Sequence, residues 1–227
     1  NILDFENLTK ENIYVLESPI LSNSQYEKFM DFFRDSIKIL DCTFNVQNNL
    51  KENLNQLSSE AETAVREGYK HLILSDKQLS ENRAAIPMIL AFGAINSKLV
   101  NLGIRGFVSI NVQTGEVLDT HSFAVLLGAG ATTINPYLAF DSIYQRYEKK
   151  LFGKLNYEEC VRQYIKSVDN GLLKIMSKMG ISVLSAYRGG CNFETVGLSR
   201  AVVAEYFPGM ISRISGIGIF GIEKKIK

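Results

Sequence analysis

Apolar residues in this chain recur at two alternating periods, and the alternation predicts its architecture. Ser22 and Gln25 have the separation of a capping box, and Leu21 and Tyr26 that of a hydrophobic staple. Phe29, Phe32, Phe33 and Ile37 continue as the buried stripe of a helix expected over residues 23–37. Leu40, Cys42, Phe44 and Val46 then alternate at strand period. Leu50, Leu54, Leu57, Ala61 and Val65 return to helical spacing, with Gly68 placed as a left-handed stop. His71-Leu72-Ile73-Leu74 is a short apolar run suited to an interior parallel strand. Pro87 falls where the first turn of a helix tolerates it; that helix is expected to reach Gly103, and residues 107–112 make the next strand.

The apolar run 120–130 fits either strand or helix. Helix is the better reading, because Gly128 or Gly130 would end it and Thr132-Thr133-Ile134 offers a β-branched strand directly after. Residues 141–151 and 157–179 read as helices, the second broken near Gly171, and 181–186 as a strand. Residues 199–207 form a helix stopped by Pro208-Gly209. Strand and helix thus alternate over most of the chain, which predicts an α/β fold: a single domain, 1–227, with a mostly parallel β-sheet covered by helices. Phe152 to Asn156 is the best candidate for an internal joint.

Composition narrows the function classes. With 227 residues, 46% of them hydrophobic, the chain can bury a full core. Lysine and arginine number 25 against 24 acidic residues, so a net charge of +1 gives no electrostatic reason to expect nucleic acid or an anionic membrane as partner. The longest apolar stretches fall short of the roughly 20 residues needed to cross a bilayer. Cys42, Cys160 and Cys191 are far apart and lack the spacing of zinc or iron–sulfur ligands, so free intracellular thiols are expected. The start at Asn1 has no basic, apolar signal segment, and the absence of an initial methionine suggests a piece of a longer polypeptide.

Candidate chemistry is sparse. Arg188-Gly189-Gly190 is expected just past the carboxyl end of the 181–186 strand and ahead of a helix, where open α/β sheets present ligand sites. Helix-start amides and the guanidinium would hold a phosphate or carboxylate there; the alternative is a tight turn in which Arg188 pairs with a neighbouring acid. Asp76 has a similar strand-end position with Arg83 close in sequence, and reads as a helix cap. Gly216-Ile217-Gly218-Ile219-Phe220-Gly221 matches GxGxxG but lacks the second strand and distant acid of a dinucleotide site, and Gly128-Ala129-Gly130 lacks the GK[ST] ending of a phosphate loop. His71 and His121, the only histidines, are 50 residues apart with no partners at ligand spacing; both read as structural.

A resemblance adds to this. Ser177-Lys178-Met179-Gly180-Ile181-Ser182, Tyr187-Arg188-Gly189 and Phe193-Glu194-Thr195-Val196-Gly197-Leu198 resemble the SKMGIS, SYRGAQ and IFEAVGL run of the glutamate synthase large subunit. Leu16 to Asn23 is similar to LESPVLSN, Ile86 to Ala91 to IPSLLA, Leu127 to Ala131 to LGYGA, Asn135 to Phe140 to NPYLAF and Ser212 to Gly218 to SRIGGIG. The blocks keep the family's order. The paired histidines of the family's VHHFA become Thr120-His121-Ser122-Phe123-Ala124, and its AVHHH becomes Ala94-Ile95-Asn96-Ser97-Lys98.

The resemblance implies a central domain, with 171–227 leading towards an FMN-binding domain. The parent would take ammonia from glutamine in an amidotransferase domain and pass it through an internal tunnel. At FMN it would reductively aminate 2-oxoglutarate, with electrons arriving through an iron–sulfur cluster from ferredoxin or a pyridine-nucleotide-linked subunit. This chain would carry no cofactor and no catalytic or metal residue of its own. Its partners would be the other domains of the same polypeptide, in the cytoplasm or a plastid stroma. Ser182, Ser185, Tyr187, Arg188, Gly189 and Gly190 are the expected tunnel or anion contacts. Two other readings stay open, a free-standing anion-binding α/β enzyme and a non-catalytic scaffold.

Overall fold

Ser22 caps the first helix as its spacing predicts: its hydroxyl accepts from the Gln25 amide while the Gln25 side chain accepts from the Ser22 amide. The computed structural model describes residues 14–227, so the start of the expected 1–227 domain lies outside the described residues. Helix α1 (Asn23–Phe32) is shorter than the 23–37 expected. Only Phe29 of the stripe is buried, Phe32 is 48% exposed, and Ile37 opens strand β1 (Ile37–Asp41) instead. Pairing explains the difference. Ile37 to Asp41 finds a full parallel ladder on His71 to Ser75, which outweighs the helical spacing of its side chains.

The expected strand through residues 40–46 is two strands. The Cys42 amide still bonds to the Ser75 carbonyl, but its own carbonyl accepts from Ile86. The chain therefore leaves the first sheet, and β2 (Thr43–Asn45) pairs antiparallel with β4 (Arg83–Ala85). Between them lie α2 (Leu50–Arg66), capped by Asn49, and β3 (His71–Ser75). Next come α3 (Met88–Asn101), β5 (Ser109–Gln113), α4 (Thr120–Ala129) and β6 (Ile134–Asn135). Gly68 (φ 97°) and Gly130 (φ 122°) end α2 and α4 in the left-handed region, as their positions predict.

The main sheet has the order β1-β3-β5-β6 and is parallel throughout. One face presents Leu40, Leu72, Leu74, Ile110, Val112 and Ile134 to a core shared with α2, α3 and α4. On the other face Ile73 packs with Leu21 and Phe29 in a smaller cluster. That face is polar towards its carboxyl end. Ser75 donates to Gln113, Gln113 to Asn135, Thr133 to Asn111, and Asn135 to the Leu21 carbonyl. Each of these side chains is buried yet bonded, so the rung stands in for an apolar layer without orphaned groups.

The chain continues as α5 (Tyr137–Glu148) and α6 (Tyr157–Lys178), with residues 152–156 in the turn between them. Helix α6 is unbroken across Gly171. A Cβ there would sit 2.5 Å from the Thr120 side chain, so the glycine lets α6 approach α4 and leaves the helix intact. The expected strand 181–186 is absent: its second half is the short helix α7 (Leu184–Tyr187). The edge of β6 is already taken by residues 19–21, where Ile134 donates to Pro19 and Leu21 donates to Ile134, so no ladder is open to residues 181–186 there. The helix expected after the glycine turn is strand β7 (Glu194–Leu198). It is followed by α8 (Arg200–Tyr206), β8 (Ile211–Ile217) and α9 (Ile219–Ile226). Strands β7 and β8 form a separate parallel pair.

Candidate functional site

Helix α6 places Asp169, Leu172, Leu173 and Met176 on one face, at separations of three, four and seven residues. Leu172 and Met176 sink into the core, while Asp169 is half-buried at the wall of a cavity of about 470 Å³. The opposite walls are Leu16 to Pro19, Thr132 and Thr133 at the amino end of β6, and Ser182, Leu184 and Arg188 from the segment after α6. Asp169 accepts a 2.8 Å hydrogen bond from the Ser18 hydroxyl. Burial raises its proton affinity above the usual carboxylate range, and that hydrogen bond only partly offsets the rise.

The sequence-based candidates therefore divide. Ser182 and Arg188 line the cavity, and Ser182 is exposed. Ser185, Gly189 and Gly190 are exposed on the same segment. Tyr187 is buried and anchors it, its hydroxyl donating to the Ala124 carbonyl. The Gly189 amide donates to Gly128, tying the turn to the end of α4. Arg188 does not follow a strand or precede a helix. It ends α7, near the amino end of β6, so the strand-end anion site expected from the sequence is corrected. Among the described residues no carboxylate lies within ion-pair distance of Arg188. The charge of Arg188 nevertheless acts on Arg105, lowering its proton affinity after the larger effect of burial. Sequence reasoning passed over Asp169, although a lone acid in register with Leu172, Leu173 and Met176 was a readable signal.

Other candidates resolve into structure. Asp76 is not a helix cap: buried to 2% exposure, it accepts from the Thr114 hydroxyl and the Gly115 amide and ties the end of β3 to the loop after β5. Arg83 pairs with Asp41 and Thr43 across the sheets, away from Asp76. In the GxGxxG match, Gly216 belongs to β8, and a Cβ there would lie 2.1 Å from the Gly197 carbonyl oxygen; the glycine serves strand contact. Gly128 gives room to the Phe193 ring in the same way. His71 packs tilted against Phe33 and edge-to-face against Phe29, with centroids 4.1 and 5.3 Å away. His121 is exposed at the edge of a second, apolar cavity of about 390 Å³ between α3, α4 and the β7-α8 unit. Among the described residues no cluster of three or more histidines, cysteines or acids is placed to hold a metal, so this part of the chain does not fit an iron–sulfur cluster. No helix among them is long and apolar enough to cross a membrane.

Fold and cavity together define an α/β domain with a parallel main sheet, carrying a further parallel strand pair at its carboxyl side. The model of the glutamate synthase central domain matches residues 1–199, and the chain belongs to that family. It is 51% identical over 229 aligned residues, all of this chain, to the large chain of an NADPH glutamate synthase from Azospirillum brasilense. Identity is 40% over 206 residues, 90% of this chain, to the corresponding large chain of Bacillus subtilis strain 168. It is also 40% over 217 residues, 89% of this chain, to a chloroplastic ferredoxin-dependent glutamate synthase of Oryza sativa subsp. japonica. The chain spans only 15%, 13% and 13% of those three relatives.

Proposed function

We propose that this chain is the central domain of a multidomain glutamate synthase. That parent makes glutamate from glutamine and 2-oxoglutarate, with FMN and an iron–sulfur cluster held outside this chain. The observation that carries the reading is the match of the central-domain family to residues 1–199, with relatives of both NADPH and ferredoxin type. Residues 200–227, beyond that match, continue as α8, β8 and α9. Parallel strands are normally covered on both faces, yet Val196, Ile211 and Ile214 of β7 and β8 are 57 to 66% exposed. This favours seating the β7-β8 unit against further elements of the same polypeptide, which we assign to the FMN-binding domain.

Within that reading the chain's role is to hold the glutamine-hydrolysing and flavin centres apart and to wall the ammonia path between them. The exposed segment of Ser182, Ser185, Gly189 and Gly190, anchored by Tyr187 and flanked by Arg188, is the proposed lining. It carries small residues and leads, through residues 191–193, into β7. Ser182→Phe in the full-length enzyme tests this. Glutamine-dependent glutamate formation should fall while glutaminase activity and glutamate formation from added ammonia persist. Gly190→Phe is the second variant, although its Cβ would press on Asn192 at 2.9 Å, so its fold needs checking first. Equal loss of all three activities in a folded variant would overturn the lining role.

A further inference from the structure

The cavity beside α6 holds two opposite charges that no other described residue compensates. Asp169 has one recorded hydrogen bond, from Ser18 to Oδ1, and no cation within ion-pair distance among the described residues. Arg188 has neither an ion pair nor a side-chain hydrogen bond among them, although a guanidinium carries five donors. The two line the same space without pairing with each other. A half-buried carboxylate and a half-buried guanidinium left in this way each lose hydration without a partner, which is unfavourable unless something else supplies one. Glu17, exposed at the same wall, adds a second negative charge on the Ser18 side. The rest of the lining is largely aliphatic, made chiefly by Leu16, Pro19, Leu172, Met176 and Leu184.

We infer that this cavity binds a small zwitterion, an α-amino acid with an apolar side chain. Its carboxylate would meet Arg188, its ammonium Asp169 and Ser18, and its side chain the aliphatic wall. A dianion would meet Asp169 and Glu17 and is disfavoured; an uncharged apolar molecule would leave both charges unsatisfied. The cavity, about 470 Å³, is of the size that takes small organic ligands. The raised proton affinity of Asp169 agrees with a site that lacks its cation. Thr132 and Ser182 supply hydroxyls to the same wall. The inference rests on the cavity alone and does not depend on the ammonia-path reading.

Calorimetric titration of the 227-residue chain tests it with four probes: L-leucine, 4-methylpentanoate (no ammonium), 3-methylbutylamine (no carboxylate) and L-glutamate (an added negative charge). L-leucine should bind saturably, and each of the other three at least tenfold more weakly. Arg188→Gln should weaken leucine and 4-methylpentanoate but leave 3-methylbutylamine unchanged, and Asp169→Asn should do the reverse for the two single-charge probes. Thermal melts check that both variants fold, and Arg188→Lys should recover part of the carboxylate binding. Absence of saturable leucine binding at millimolar concentrations would overturn the inference. So would equal binding of leucine and both single-charge probes, which would mark a merely apolar pocket. Neither result bears on the activities of the full-length enzyme, where the ammonia path is tested separately.

Discussion

Asp76 shows how much one buried side chain decides in this molecule. Its two oxygens satisfy the Thr114 hydroxyl and the Gly115 amide, so Asp76→Ala leaves the buried Thr114 hydroxyl and the half-buried Gly115 amide without this partner. A loss of about 1 to 3 kcal/mol is expected for each orphaned group that water cannot reach. Urea unfolding of Asp76→Ala is set beside Thr114→Val, which removes one donor to Asp76 and also the acceptor of the Glu116 amide; a loss under about 0.5 kcal/mol for Asp76→Ala would contradict the role, being the range of a surface change. His71 gives a pH-dependent counterpart. Burial among Phe29 and Phe33 lowers its proton affinity, and its Nδ1 has no partner among the described residues. The unfolded chain therefore binds a proton near pH 6.5 that the folded chain binds only at lower pH. Hence the contribution to stability is present above pH 6.5 and is lost as the pH falls below it. Replacing the ring with His71→Phe should flatten that part of the stability profile, as chemical denaturation at a series of pH values would read; an unchanged slope would assign the dependence to other groups.

Between elements, close approach is set by glycines whose role only the packed structure makes visible. Gly171→Ala puts a methyl 2.5 Å from the Thr120 side chain, and overpacking of this kind costs about 1 to 3 kcal/mol. Thr120→Ala in the same chain should restore most of the loss, because the atoms nearest that methyl are the Thr120 methyl and hydroxyl. Gly216→Ala should have no such rescue, since its methyl meets the Gly197 backbone. Thermal melts of the three variants and the double variant decide it, and failure of Thr120→Ala to restore stability would assign Gly171 a conformational role. In the sequence alone Gly171 reads as a helix break and Gly216 as part of a GxGxxG match that lacks the rest of a nucleotide site. The spacing of Leu50 to Val65, the Ser22–Gln25 box and the strand at 71–74 were legible because their causes are local. The turn of Ile37 from helix to strand, and of residues 181–186 from strand to a bend and the short helix α7, were not. Each depends on whether a neighbouring strand edge is open, and β3 offers one while residues 19–21 occupy β6. The cavity was half legible for the same reason: Ser182 and Arg188 lie in one segment, but Asp169 and Ser18 reach them only through the fold.

For the whole molecule the β7-β8 pair raises the question of what covers it. Val196 at 66%, Ile211 at 57%, Ile214 at 61% and Phe220 of α9 at 75% exposure are large apolar side chains on one βα unit. Scattered exposure of single apolar residues is ordinary, but a parallel pair of strands with this composition is normally buried, and open strand edges invite pairing between chains. If the covering elements belong to the parent polypeptide, the isolated chain should self-associate through this unit. Ile214→Thr and Val196→Thr should then reduce self-association, measured by light scattering or sedimentation, with little change in the melting of the main sheet, which these residues do not join. In the proposed full-length enzyme the same substitutions should weaken the seating of the proposed flavin domain and lower glutamate formation even when ammonia is supplied directly. That last readout separates them from Ser182→Phe, which should spare ammonia-dependent synthesis. An isolated chain that stays monomeric, together with a full-length double variant of normal activity, would show that this face is not where the central domain meets the rest of the enzyme.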